Sequence, residues 1–395
     1  MNPAPPLTIG TFGNGCVGQG FLHLLNTNGR ETARVKHVCV KERDRPRDIG
    51  NARLTYNAID ILGDGQVRAI VELTNDPALA MDVIRKALTS GRDAITASKK
   101  VVAEHLAELI ALQRATGRSV LYEASCAASI PVLHSLETHF SSERVERIEG
   151  ILNGTTNYIL TKAAEGSSPQ EALHLAQAQG FAEKDPTSDL SGDDARYKLT
   201  ILIAHAFGTV VKPGRLFRAG IQHLSAEDLA YGATRGWTVR SIASARLRNN
   251  VLTAQVLPTF VAANDAFAHV HNEYNAVRIT GAHSGEHVLQ GKGAGSLPTG
   301  LAVLGDVQRL VRGGGYTYAK VNADAPAFST NGERVHVYLR LPVTHQELLG
   351  RFDAVQVVGT TEDCVQVEGI ILLDELAGII GEGREEFQVI ALPHL

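Results

Sequence analysis

Residues Leu7 to Gly18 read LTIGTFGNGCVG. Leu7, Ile9 and Phe12 lie in a short strand-like run that leads straight into Gly13-Asn14-Gly15-Cys16-Val17-Gly18, after which Phe21, Leu22 and Leu25 return at helical spacing. The order is strand, glycine turn, helix. Glycine suits such a turn because the bend is tight and because backbone N–H groups at the helix start must come close to a pyrophosphate. Glycine-rich turns also occur with no ligand, so context carries the reading. A second apolar strand, Val35 to Val40, follows at the spacing expected of a ribose-reading position. The pattern predicts that Gly13, Asn14, Gly15, Cys16, Val17 and Gly18 hold a dinucleotide. The tip of the second strand reads Val40-Lys41-Glu42-Arg43, where an NAD site places a lone acid and an NADP site a base. Lys41 leans towards NADP, and Glu42 keeps NAD open.

Further strands alternate with helices. Ala69 to Thr74 is a buried-type strand, Ala78 to Leu88 a helix closed by Gly91, Asp93 to Ala97 a strand, Val101 to Thr116 a helix ended by Gly117, and Ser119 to Tyr122 a strand. This alternation implies βαβ units in a parallel sheet, an α/β fold of the Rossmann type, doubly wound. Ligands bind at the carboxyl ends of such strands, which are the positions of Thr74, Asn75, Ser98 and Lys99. Glu123 to Pro131 is a run of small residues leading to a helix begun at Pro131. Its accessible carbonyls suit a bound cation, and a plain connector is the other reading.

From about residue 140 the pattern changes. Val145 to Leu152 looks like a strand leaving the sheet, and Asn153-Gly154-Thr155-Thr156-Asn157 precedes a helix through Leu160. Ser168-Pro169-Gln170-Glu171 gives a capping box with Pro at the first helical position, and Gly180 closes that helix. Val251 to Val261 and His269 to Ile279 are β-type runs. Gly293 to Thr299 opens a helix of Leu301, Val303, Leu304, Val307 and Leu310, expected to return to the first domain. Beyond Gly315, the strand-like His336–Leu341, a helix-like 346–355, Val365–Ile370, a helix near 372–380 and Phe387–Ala391 suggest a small appended βαββαβ-like module. The expected domains are a dinucleotide-binding domain over 1–140, completed by about 296–315, an inserted α+β substrate and dimerisation domain over 141–295, and a C-terminal module over 325–395.

Between these elements, Gly180 to Lys198 reads GFAEKDPTSDLSGDDARYK. It packs Glu183, Asp185, Asp189, Asp193 and Asp194 into a short span. Ser191 and Asp194 have the spacing of a helix start, and Asp194 and Lys198 form an ordinary i,i+4 pair. The sequence that follows, LTILIAHAFG, carries no charged residue up to Gly208, so its helix is buried all round. Lys198 therefore sits where surface becomes interior, a costly place for a lysine unless it is used.

Composition narrows the partners. With 38 Lys+Arg against 42 Asp+Glu, the net charge of −4 gives no electrostatic case for nucleic acid or an anionic membrane. The start, MNPAPPLTIG, has neither a basic region nor an apolar one, and no run approaches the roughly 18 apolar residues of a membrane span; a soluble cytoplasmic protein is expected. Cys16, Cys39, Cys126 and Cys364 show no CxxC pair, so neither a disulfide framework nor a zinc knuckle is indicated.

Seven separated motifs, GNGCVG, VELT, TASKK, YEASCAASIP, GILNGTTNYIL, GFAEKDPTSDLSGDDARYKL and GAGSLPT, together resemble the homoserine dehydrogenase family from about residue 7 to 312. The resemblance implies NAD(P)-dependent interconversion of L-homoserine and L-aspartate 4-semialdehyde, in threonine and methionine biosynthesis. It makes Glu183 and Asp194 homoserine ligands with Asp189 beside them, adds Thr155 to the substrate site, and puts Lys198 at the reacting oxygen as proton donor or acceptor. Lys99 is implied close to nicotinamide and substrate as a second catalytic lysine, which leaves open which of the two carries the proton. Gly180 and Gly295 match backbone positions near the nicotinamide. The carbonyls of Glu123, Cys126, Ala128 and Ile130 match a monovalent-cation site, usually sodium. A homodimer or higher homo-oligomer is a family expectation. Departures from the pattern are Ala127 and Ser129 where glycines are usual, Asn75 for a glycine, and Gly300 for an alanine. The tail has the outline of an ACT-like regulatory domain, yet Thr344-His345-Gln346-Glu347 lacks the glycine-containing effector loop. The rival readings are a dehydrogenase for another small amino-acid semialdehyde or keto acid, and a non-catalytic dinucleotide-sensing regulator.

Overall fold

The computed structural model describes residues 5–43, 45–381 and 387–393; the first four residues and the last two, within the outer bounds of the expected domains, lie outside it. The chain divides into two compact units. The first comprises Met1–Ser142, Ala204–Val210 and Gly291–Asn322, the second Glu143–Ile203, Val211–Gln290 and Ala323–Leu395. No helix among the described residues is long and apolar enough to cross a membrane.

The first unit is built on six strands and the helices between them: β1 (Leu7–Phe12), α1 (Cys16–Asn28), β2 (Ala33–Cys39), β3 (Arg53–Thr55), α2 (Ile59–Leu62), β4 (Ala69–Glu72), α3 (Pro77–Thr89), β5 (Asp93–Thr96), α4 (Lys99–Thr116), β6 (Val120–Leu121) and α5 (Val132–Glu137). Their order, β3-β2-β1-β4-β5-β6, is parallel throughout. The order reverses between β1 and β4, as the doubly wound expectation requires. β4 is buried at every residue, which is why parallel strands read as continuous apolar runs. The short β3 and α2 carry too few residues for a periodic signal and were not anticipated. Pro131 is the N-cap of α5 and not its first helical residue.

The second unit runs β7 (Val145–Ile151), α6 (Gly154–Ala164), α7 (Pro169–Ala178), α8 (Thr187–Leu190), α9 (Asp193–Phe207, whose last residues from Ala204 fall to the first unit), β8 (Phe217–Arg218), α10 (Ala226–Ala233), β9 (Trp237–Arg248), β10 (Val251–Ala262), β11 (Tyr274–Gly281) and β12 (Gly285–Lys292, whose residues from Gly291 fall to the first unit). The strand expected from His269 is a 3-10 turn to His269 followed by β11 at Tyr274. After α11 (Ser296–Val311), which belongs to the first unit, come β13 (Ala327–Phe328), β14 (Arg334–Pro342), β15 (Ala354–Thr360), β16 (Cys364–Leu372), α12 (Leu373–Gly381) and β17 (Gln388–Ala391). The capping box at α7 is made by Ser168 and Glu171 as its spacing predicts.

The tail falls within the second compact unit. Its strands stand in the order β17-β14-β16-β15 with antiparallel neighbours, the split βαββαβ order. However, β17 pairs with β10 through Thr259 and Ala391, making one 11-stranded sheet. Tail residues Tyr338, Ile390 and Leu392 share a core with Tyr158, Ile221 and Phe260, and Val337, Leu339 and Leu376 share another with Ala219 and Leu257. The helix-like 346–355 is a kinked 3-10 stretch, Val343–Arg351, followed by β15.

Within the first unit, α1 and α11 cross backbone to backbone. A Cβ on Gly20 would collide with the Ser296 carbonyl, and one on Gly300 would lie 2.5 Å from the Phe21 nitrogen. Glycine at 300 therefore suits this crossing. The last residues of α9 are held in the first unit by a buried polar chain. His205 Nδ1 meets Glu137 Oε1 at 2.7 Å and its Nε2 meets the Tyr122 hydroxyl at 2.9 Å. Burial pushes the Glu137 carboxyl up, but His205 and the N–H and hydroxyl of Thr317 outweigh it and bring it down to about 2.

Two outcomes follow from this packing. Gly20→Ala should cost about 3 kcal/mol or more in urea unfolding, because the obstacle is a backbone carbonyl that cannot rotate away. Glu137 is depressed below its unfolded value of roughly 4.3, so its stabilisation is complete above that value and fades as pH falls towards 2. The stability gap between wild type and Glu137→Gln should accordingly narrow as pH is lowered from about 5 to 3; a gap that stays constant would contradict the Glu137 assignment.

Candidate active site

The glycine turn between β1 and α1 is shaped by the strand beside it. Gly13 has φ +87 and its missing Cβ leaves room for the Leu73 carbonyl, so only glycine serves there. Gly15 caps α1 with no side-chain hydrogen bond, and a Cβ added to it would meet nothing within 4 Å. Gly18 lies close to the Gly13 carbonyl and Asn14. Asn14 is buried, and neither of its side-chain polar atoms has a partner among the described residues. Cys16 is exposed and Val17 half-buried. An uncapped helix start, open space beside Gly15 and an orphaned amide are what a pyrophosphate would use. The chain thus fits the dinucleotide that its first motif predicts.

The strand ends nearby are tied together by a residue that sequence reasoning did not single out. Glu72, fully buried at the end of β4, accepts from the Thr74 N–H and hydroxyl at 2.6 and 2.7 Å and from the Thr96 hydroxyl at 2.6 Å. Thr96 in turn accepts from the Ser98 N–H at 3.0 Å. Burial raises the Glu72 carboxyl, against those three donors. An acid inside an apolar strand was the signal for it. Asn75 follows Thr74 on the same turn, Ser98 caps α4, and Lys99 is the first residue of that helix, half-buried. At the end of β2, Lys41 pairs with Asp76 at 2.7 Å, Arg43 stacks over Tyr56 with 4.8 Å to the ring centre, and Glu42 lies 3.8 Å from Arg47. Gly295, with φ +114, caps α11.

The loop from Glu123 to Ile130 is buried at all four residues predicted to offer carbonyls. The Glu123 and Ile130 carbonyls each accept one backbone hydrogen bond, from Cys126 and Val132. The left-handed residue is Ala128, at φ 45, while Ser129 donates its hydroxyl to the Lys292 carbonyl. The Glu123 carboxylate caps α5 through the Leu133 and His134 N–H groups, and burial lifts it to about 7 against them.

In the second unit the acidic stretch divides. Lys198, 7% exposed on α9, donates to Asp194 Oδ2 at 2.7 Å and to the Leu152 carbonyl at 2.6 Å. Asn153 Nδ2 donates to Asp194 Oδ2 at 2.9 Å and to Asp189 Oδ1 at 2.8 Å. Lys198, Asp194 and Asp189 are thus brought together at the end of β7. The helix-start reading of Ser191 and Asp194 is corrected: Ser191 bonds to Asp193, and Asp194 turns inward to lysine and asparagine. Asp193 pairs with Arg196 and Arg218, and Asp185 caps Thr187. Glu183 is exposed, with no side-chain hydrogen bond or ion pair among the described residues. Its loop is pinned by the Thr155 hydroxyl on the Phe181 carbonyl at 2.6 Å and by Gln177 on the Glu183 carbonyl, beyond Gly180 at φ +76. Asn153 was overlooked because it binds carboxylates 36 and 41 residues away.

Two family models match the chain. Residues 13–123 match the NAD binding domain of homoserine dehydrogenase, and residues 131–308 match homoserine dehydrogenase. The homoserine dehydrogenase of Bacillus subtilis is 33% identical over 316 residues, covering 78% of this chain and 73% of that one. That of Synechocystis is 35% identical over 315 residues, with 77% and 73% covered. A crystal structure of a homoserine dehydrogenase from Thiobacillus denitrificans superposes with a TM-score of 0.86 at 29% identity and covers 98% of both chains, the tail included.

The open space at Gly15 gives a direct check. Gly15→Ala should cost no more than about 1 kcal/mol of stability, yet weaken reduced-cofactor binding roughly tenfold or more by fluorescence titration. Unchanged binding would mean that the pyrophosphate does not pass this point.

Proposed function

The chain belongs to the homoserine dehydrogenase family and is an NAD(P)-dependent oxidoreductase acting on a CH–OH group, and from that premise we propose that Lys198 exchanges the proton of the reacting oxygen in the interconversion of L-homoserine and L-aspartate 4-semialdehyde. The observation that carries this is the buried pair of Lys198 with Asp194 at 2.7 Å. A lysine this buried needs acceptors held against its amine, and an ammonium so held is placed to act as a proton donor. When bound, the nicotinamide supplies or accepts the hydride at the carbon bearing the oxygen. In the reductive direction that carbon gains the hydride, and the aldehyde oxygen gains a proton from Lys198 Nζ. Asp194 keeps the lysine oriented, with the Leu152 carbonyl as second acceptor.

The substrate's own ammonium calls for a carboxylate with capacity to spare. Asp189 and Asp194 already hold Asn153 and Lys198, so we assign that contact to Glu183, with Asp189 in support and Thr155 fixing the loop. Lys99 at the start of α4, with Thr74, Asn75 and Ser98 on the neighbouring strand ends and the backbone at Gly295, belongs to the cofactor side. The basic Lys41 at the end of β2 favours NADP over NAD. The carbonyls of Glu123, Cys126, Ala128 and Ile130, all on buried residues of one loop, suit a monovalent cation such as sodium, and such an ion would stiffen the loop that follows β6. The same reading makes the protein a cytoplasmic homo-oligomer in threonine and methionine biosynthesis.

The test is to follow reduced-cofactor absorbance with homoserine and NADP or NAD. Wild type should turn over, faster with NADP, and Lys198→Ala should lose roughly 10²–10⁴ in kcat while still binding cofactor. Near-wild-type turnover of that variant would remove Lys198 from the mechanism.

A further inference from the structure

We infer that Asn153 is a positioning residue for the proton-transfer lysine, an inference that rests on the reading of Lys198 given above. Its amide stands between two jobs. On one side Oδ1 caps α6, accepting from the Thr156 N–H at 2.7 Å and the Thr156 hydroxyl at 2.8 Å. On the other, Nδ2 gives one N–H to Asp189 and one to Asp194. All four hydrogen-bonding positions of the amide are filled, and the residue is 8% exposed. The orientation is unambiguous, because the Thr156 N–H can only donate and a carboxylate can only accept.

Capping alone does not explain the asparagine. Serine or aspartate caps a helix as well. What neither can do is present two N–H groups to two carboxylates. Those carboxylates meet at a single nitrogen, and without a shared donor two like charges at that spacing repel. Moreover, Asp194 Oδ2, which takes one of the two N–H groups, is the same oxygen that receives Lys198 Nζ. The residue before Asn153 offers its carbonyl to the same Nζ. Leu152 and Asn153, at the end of a strand in the middle of a sheet, thus fix both the lysine and its counter-ion.

Asn153→Ser and Asn153→Asp separate the two jobs, since each keeps the cap and each loses the bridge. Both enzymes should melt within a few degrees of wild type and keep the wild-type KM for the dinucleotide. Their kcat should fall roughly 10- to 100-fold, further in Asn153→Asp, where a third carboxylate joins the two. If both variants turn over like wild type while Lys198→Ala is inactive, Asn153 is only a helix cap and the inference is overturned. If Lys198→Ala itself is active, the reading of Lys198 falls and the inference falls with it. If one variant melts much lower, the other decides, as the expected kcat loss is the same in kind for both.

Discussion

A lysine amine withdrawn from water is tolerated only where acceptors meet it, and that constraint organises the second unit. Lys198 stands at the boundary between a charged helix start and an apolar helix whose residues from Lys198 to Phe207 are all buried. Its ammonium takes one acceptor from the turn before it and one from the end of β7. Asp194, held by the lysine and by Asn153, turns away from the helix start. Asp193 goes to two arginines and Asp185 to Thr187. The five acids of one short stretch thereby acquire different chemistry from one burial requirement.

The first unit is governed by close backbone approach. The dinucleotide turn touches the β4 end at Gly13, and α1 touches α11 at Gly20 and Gly300. Glu72 then spans β4 and β5 with three hydrogen bonds, so the two strand ends that face a ligand in this fold share one buried carboxylate. Glycine contacts and a satisfied acid both remove freedom from the loops before a cofactor arrives, which lowers the ordering cost of binding it.

Much of this was legible in the chain itself because it is written locally. The glycine turn, the capping box of Ser168 and Glu171, the helix ends at Gly91 and Gly117, and the apolar run after Lys198 each depend on residues within a turn or two of one another. The doubly wound order followed from alternating strands and helices. What was not legible depends on contacts far apart in sequence. Asn153 meets its carboxylates through the meeting of β7 with α8 and α9, and the tail joins the larger sheet through Thr259 and Ala391. No spacing rule reports such pairings. Glu183 lies near the other acids in sequence, and its exposure on its loop is set by tertiary packing that no local spacing reports.

The claim at the centre of this account is that the network of Leu152, Asn153, Asp194 and Lys198 presents a proton to the substrate oxygen. A crystal structure with L-homoserine and oxidised cofactor tests it most directly. The account predicts the substrate hydroxyl within hydrogen-bond distance of Lys198 Nζ, about 2.6–3.2 Å, with Asp194 still paired to the lysine and Asn153 still bridging Asp194 and Asp189. A bound homoserine whose hydroxyl is held by other groups, with Lys198 still closed on Asp194 and Leu152, would contradict it.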